Sequence, residues 1–173
     1  MNADELREIQ KPLKQKYSES PDAAIAELHA AGTVDLASLT CKVTTPGADN
    51  GVVHSGLHPN AGGDGSHACS GDMLLQSLVA CSGVTFAAVA TAMELNIDAA
   101  QIEATGTMDF RGTLGVDREI PVGLTEISIV FCVESQESDE KIDKLIQLTE
   151  RYCVVLQSLR GGVAITSQRA DKS

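Results

Sequence analysis

The chain has 173 residues, of which 43% are hydrophobic and 21% charged, with a mean hydropathy of -0.00. That is enough apolar material for one compact domain and too much for a disordered chain. Against 24 Asp plus Glu stand 13 Lys plus Arg, a net charge of -11. This surplus repels phosphate backbones and anionic membrane surfaces and excludes nucleic acid as a partner, and an aromatic content of 3% without Trp removes the stacking side chains of single-strand binders. Five cysteines fall short of a disulfide-dense secreted scaffold.

The opening residues Met1–Glu8 are charged where a signal peptide needs a basic start and an apolar run, which predicts a cytoplasmic protein. Leu6, Ile9, Leu13 and Tyr17 share one stripe of a short amphipathic helix, weakened or kinked by Pro12, and Pro21 to Ala30 reads as a second short helix. Residues 1–32 are therefore expected to be a helical extension and residues 33–173 a single domain. Thr33 to Val34, Leu39 to Thr45 and Val52 to Ser55 read as strands between Gly, Pro and Asn signals, with Leu39, Cys41 and Val43 on one face of the middle one. Gly56 to Gly71 is too rich in Gly and turn formers for regular structure and reads as a loop feeding a helix.

Met73 to Met93 carries no charged residue and is long enough to span a bilayer. Its hydroxyl and amide side chains, the acids Asp72 and Glu94 at its ends and the lack of a Lys or Arg flank point instead to the central helix of a globular core, without a membrane. Ser70 or Asp72 is the expected cap at its start and Asn96 the expected left-handed residue at its end. Ile102, Ala104, Gly106, Met108 and Phe110 then alternate with polar residues as a strand. After a turn-rich Gly112 to Gly123, Ile127, Ile129, Phe131 and Val133 form a second strand, the pair predicting an antiparallel ribbon. Ser138, Asp139 and Glu140 open an amphipathic helix with Ile142, Leu145, Thr149, Tyr152, Cys153 and Leu156 inside, ended by Gly161 and Gly162; Val163 to Ser167 reads as a last strand. The order is α+β, antiparallel strands around two core helices.

Cys81 and Cys153 each lie on a helix face that has to be buried. They are either small core hydrophobes or a peroxidatic and resolving pair, in which a thiolate attacks an O–O bond, becomes a sulfenic acid and is captured by the second thiol. Their separation in sequence does not decide between the two. His54, His58, His67, Cys69 and Asp64 have the side chains of a zinc site without a common zinc spacing, so a polar connection is the competing reading and no metal is expected. Gly62-Gly-Asp-Gly-Ser lacks the Lys of a phosphate loop and is read as a border of the cysteine pocket. Cys41 and Cys132 read as packing or surface residues, and Cys69 stays open.

Ser-Gly-Asp-Met-Leu-Leu-Gln-Ser-Leu-Val-Ala-Cys at 70–81 resembles the first cysteine segment of the OsmC/Ohr family of organic hydroperoxide resistance proteins. Arg-Tyr-Cys-Val-Val-Leu at 151–156 resembles its second, and Met108 to Val133 the ribbon between, the likeness covering roughly residues 56–168. It implies an OsmC-like intertwined homodimer in the cytoplasm that reduces organic hydroperoxides without a bound cofactor and draws electrons from an external dithiol such as a dihydrolipoyl group. By the same likeness Cys81 is the attacking thiol and Cys153 the resolving one. The family's acidic residue, ten positions before the cysteine, is Gly71 here, with Asp72 next to it as the substitute or simply as a helix cap. Its thiolate-holding arginine has only Lys42 in its place; Arg111, Arg118, Arg151 and Arg160 are the remaining candidates, each also readable as a surface charge. A fold that kept its pocket but lost the arginine would instead be a non-catalytic binding module for an apolar ligand or partner.

Overall fold

The computed structural model describes residues 1–44 and 51–168. Helix α1 (Ala3–Glu19) starts at a capping box, in which Asn2 accepts from the Glu5 N–H and Glu5 from the Asn2 N–H, and runs on through Pro12. The second predicted helix is only a 3₁₀ turn, Pro21–Ala24. All its residues are exposed, and so short a helix does not hold without a packed face.

A first sheet follows, of β1 (Ala31–Asp35), β2 (Thr40–Thr44), β3 (Val52–Gly56) and the two-residue β4 (Ala68–Cys69), paired in chain order and antiparallel except for β3 with β4. The predicted strands are found close to their expected places; Thr45 lies outside the described residues. Leu39, predicted on the inner face of the middle strand, sits before β2 in the left-handed region at φ 53 and is exposed. Between β3 and β4 a 3₁₀ turn, Pro59–Ala61, folds the glycine-rich segment back so tightly that a Cβ at Gly63 would stand 1.8 Å from the Leu57 carbonyl oxygen.

Helix α2 (Ser70–Ala92) is the central element. It is long and apolar enough to cross a membrane, but here it packs against α1, a strand ribbon and two later helices. Its buried line is Leu78, Ser82, Phe86 and Ala90, one residue every four along one side. Neither predicted end is the observed one. The pairing of β4 keeps the backbone extended through Cys69, which becomes the N-cap without a side-chain bond, so Ser70 and Asp72 already lie inside the helix. At the other end the left-handed residue is Glu94 (φ 58), because the Leu95 N–H returns to the Ala90 carbonyl and tucks Leu95 against the core; the Asn96 N–H donates instead to Glu137.

Strands β5 (Ile97–Met108) and β6 (Leu124–Ser135) form the predicted antiparallel ribbon, with Ile102 opposite Phe131, Ala104 opposite Ile129 and Gly106 opposite Ile127, their apolar face laid on α2. Phe110, expected as its last inward residue, opens the short helix α3 (Phe110–Thr113) instead, since Asp109 accepts from the Arg111 N–H and caps it. The predicted long terminal helix is two: α4 (Asp139–Tyr152) and α5 (Val154–Gly161), broken at Cys153. Tyr152, assigned to the inner stripe, is turned out and 57% exposed by the break. Val163 to Ser167 forms no strand, because no described edge of this chain pairs with it.

The core is two clusters on the ribbon face of α2. Phe86, Ala90 and Leu145 gather Ile102, Phe131 and Val133, while Leu78, Cys153 and Leu156 gather Cys81, Ala104, Ile127 and Ile129. The second of these holds the cysteines.

Candidate active site

Cys81 lies mid-way along α2, half-buried; Cys153, fully buried, is at the junction of α4 and α5. The fold brings the two thiols into contact, both reduced. What places Cys153 there is the helix break. Its backbone is extended (φ -69, ψ 108), so it closes α4 through its N–H to the Thr149 carbonyl and caps α5 by accepting at Sγ from the Leu156 N–H, 3.5 Å away. The first turn of α5 is thereby turned toward Cys81.

Burial pushes the Cys81 thiol up, yet the Val155 N–H, the Cys153 thiol, the Val154 N–H and the Thr85 hydroxyl outweigh it, and Cys81 ionises below an ordinary cysteine. A helix N-terminus with its free N–H groups is a ready acceptor of negative charge, and here the charge it meets is a sulfur of its own chain. Cys153 has its own hydroxyl: Ser82 Oγ lies 3.3 Å from its Sγ, both groups buried.

The other predicted residues lie elsewhere. Asp72 is exposed in the first turn of α2, about 13 Å along the helix axis from Cys81; it borders a separate cavity with His58, Cys69 and Phe110. At that position it complements the helix dipole and does not reach the thiols of its own chain. Lys42 is exposed on β2, opposite His54 on β3. Among the described residues the arginines are engaged away from the thiols: Arg7 with Glu94 and Asp4, Arg111 with Asp109, Arg160 with Glu150, and Arg151 over the Tyr152 ring, while Arg118 is exposed. The donors that lower the Cys81 thiol are neutral.

The histidine-rich segment does not converge on an ion. His58 Nδ1 accepts from the Asn60 N–H and its ring stacks on Phe110, Ser66 bridges Asp64 and His67, and among the described residues no three His, Cys, Asp or Glu side chains are placed to share a metal. Cys69 is half-buried at the start of α2, Cys41 packs over Gly32, and Cys132 is exposed on β6. Beside the cysteine cluster runs a groove of about 340 Å³ lined by Leu78, Leu124, Ile127, Ile129 and Leu156, with Glu126 and Arg160 also on its wall. Sequence reasoning missed Ser82, Thr85 and the amides of Val154 and Val155. Only Ser82 had left a mark, as the one polar member of the line Leu78, Ser82, Phe86, Ala90.

The model of the OsmC-like protein family matches residues 63–168. Among solved structures, the chain is similar to an OsmC-like protein from Mycoplasma pneumoniae at 20% identity, TM-score 0.64, over 79% of this chain and 89% of that one. An organic hydroperoxide resistance protein from Elizabethkingia anophelis aligns at 11% identity, TM-score 0.61, over 79% and 91%. The organic hydroperoxide resistance protein OhrB of Bacillus subtilis aligns at 21% identity, TM-score 0.54, over 79% and 94%. No curated protein sequence matches the chain significantly. With the family match spanning more than half of its length and the fold shared with these structures, the chain belongs to the OsmC-like protein family.

Proposed function

We propose that the protein is a thiol-dependent peroxidase that reduces organic hydroperoxides. The observation that carries this reading is the contact between Cys81 and Cys153 at the first turn of α5, with Cys81 held ready to ionise. The Cys81 thiolate attacks the terminal oxygen of the hydroperoxide; the O–O bond breaks, the alkoxide leaves as the alcohol after taking a proton, and Cys81 becomes a sulfenic acid. Cys153 then attacks the Cys81 sulfur, water leaves, and the disulfide that forms is opened by an external dithiol, of the lipoyl type by family resemblance. No bound cofactor is needed for this cycle. Neutral donors take the place of a guanidinium at Cys81.

The largely apolar groove that shares Leu78 and Leu156 with the cysteine cluster favours a greasy hydroperoxide over hydrogen peroxide. The surface supports a homodimer. The chain exposes 12984 Å², where a compact monomer of 18.1 kDa exposes about 8,100 Å². Excess surface of that size, with Val84 on α2 at 74% exposure, is what an intertwined partner covers. A cytoplasmic setting, where an external dithiol is kept reduced, completes the proposal.

The test is to treat reduced protein with one equivalent of cumene hydroperoxide and map the cysteines by mass spectrometry beside Cys81→Ser and Cys153→Ser. The expected result is a rapid Cys81–Cys153 disulfide, absent from both variants, with a sulfenic acid trapped on Cys81 in Cys153→Ser. Cys81 that stays reduced in folded protein overturns the reading in favour of a binding module for an apolar ligand, which the lack of a described arginine among the groups acting on Cys81 favours.

A further inference from the structure

Beyond its first turn, the hydroxyl groups of α2 fall into two sets. Ser77 and Thr91 donate to the carbonyl four residues back, the ordinary fate of a hydroxyl inside a helix, and Thr149 does the same on α4. Thr85 and Ser82 do not. Ser82 bonds Cys153, which among the described residues is the sole hydrogen-bond partner of the Ser82 side chain, while Thr85, one turn beyond Cys81, helps to hold that thiol below its ordinary range. Each thiol thus has one α2 hydroxyl of its own. Ser82 stands in a fully buried line with Leu78, Phe86 and Ala90, where a hydroxyl is costly unless it is well bonded. A neutral thiol is a weak partner for it; a thiolate is a strong acceptor, and the bond becomes charge-assisted when Cys153 ionises.

We propose that Ser82 is a positioning residue for the second chemical step: its hydroxyl aims the Cys153 sulfur at Cys81 and hydrogen-bonds the thiolate that attacks the oxidised Cys81. The inference rests on the two-thiol reading above. In the cycle, the Cys153 thiolate forms the S–S bond as the S–O bond of Cys81 breaks; the departing hydroxide takes the proton given up by Cys153 and leaves as water. Ser82 is not consumed and changes no oxidation state. Thr85 has the corresponding place at the first step, beside the Cys81 thiolate.

The step is isolated from peroxide chemistry with the aromatic disulfide dithiobis(nitrobenzoate), in protein whose Cys41, Cys69 and Cys132 are replaced by serine. Cys81 attacks the reagent and releases one coloured thiolate; Cys153 then displaces the second from Cys81, giving the same protein disulfide. Ser82→Ala is expected to slow the second release about ten-fold while changing the first by less than about two-fold, the loss of a hydrogen bond to a charged group. Thr85→Val is expected to slow the first. Ser82→Thr, which keeps the hydroxyl, is expected to retain a fast second release. The proposal is overturned if Ser82→Ala alters neither release or both alike, or if folded Ser82→Thr is as slow as Ser82→Ala, which would make the site one of shape only. Wild-type Cys81 inert to cumene hydroperoxide, with the two releases still divided as stated, sinks the peroxidase reading and leaves the role of Ser82 standing.

Discussion

The two halves of the chain are built on different terms. From Ser70 onward every element has something to pack on: α2 lies against the ribbon and both terminal helices, and all the fully buried side chains among the described residues fall between Leu78 and Leu156. Before Ser70 no described residue is buried, although four strands and a helix are formed. Backbone pairing is therefore enough to draw the first sheet but not to hold it, because strands without a covered apolar face are marginal in water. The C-terminal half carries its own core and the proposed chemistry; the N-terminal half leaves apolar side chains such as Val34, Leu36 and Leu39 exposed.

The sharpest break of that comparison is a core truncation. Leu145, 0% exposed, touches the Phe86 cluster, and Leu145→Ala is expected to cost about 2–5 kcal/mol, read as a lower midpoint in urea unfolding. Val34 on β1 is 64% exposed, and a surface change in a monomer stays within about 0.5 kcal/mol. If a second copy covers the first sheet, Val34→Asp instead lowers the melting temperature and shifts the species seen by light scattering from dimer to monomer. A monomer in the wild type at micromolar concentration would count against the dimer. Hydrogen exchange sharpens the same point, with amide protection in β1 to β3 falling on dilution while that of β5 and β6 holds.

A smaller effect concerns pH. Cys81 ionises lower in the folded protein than in the unfolded chain, so its ionisation favours folding; the contribution is complete above the unfolded value and is lost as pH falls through the folded one. Thr85→Val removes one of the donors. The expected outcome is that alkylation of Cys81 by iodoacetamide needs a higher pH than in the wild type and that the gain in melting temperature across this window flattens. The smallest effect is at the contact between the halves: Arg7→Ala loses exposed ion pairs with Glu94 and Asp4 and is expected to cost no more than about 1 kcal/mol, less at high salt.

Much of the C-terminal half was legible because its signals are local. Strict alternation from Ile102 and from Ile127 marks the ribbon, and an uncharged run after a glycine-rich loop marks α2. The helix ends were not, since β4 pairing and the packing of Leu95 set them. The break at Cys153 was invisible for a like reason. Arg-Tyr-Cys-Val-Val carries neither Gly nor Pro, and the amphipathic stripe continues through it; the bend exists because Cys153 is drawn into the core beside Leu78 and Ser82.

By itself the sequence determined the fold class, the elements with strong periodicity, the acidic surface and the two cysteines worth asking about, because each of these is written in neighbouring residues. Only the tertiary structure decided that Cys81 meets Cys153, that Asp72 stands about 13 Å along α2 from Cys81, and that Ser82, Thr85 and the first amides of α5 surround the thiols. Those facts depend on how α2 and the α4–α5 junction pack across some seventy residues of chain, a relation that no local pattern encodes.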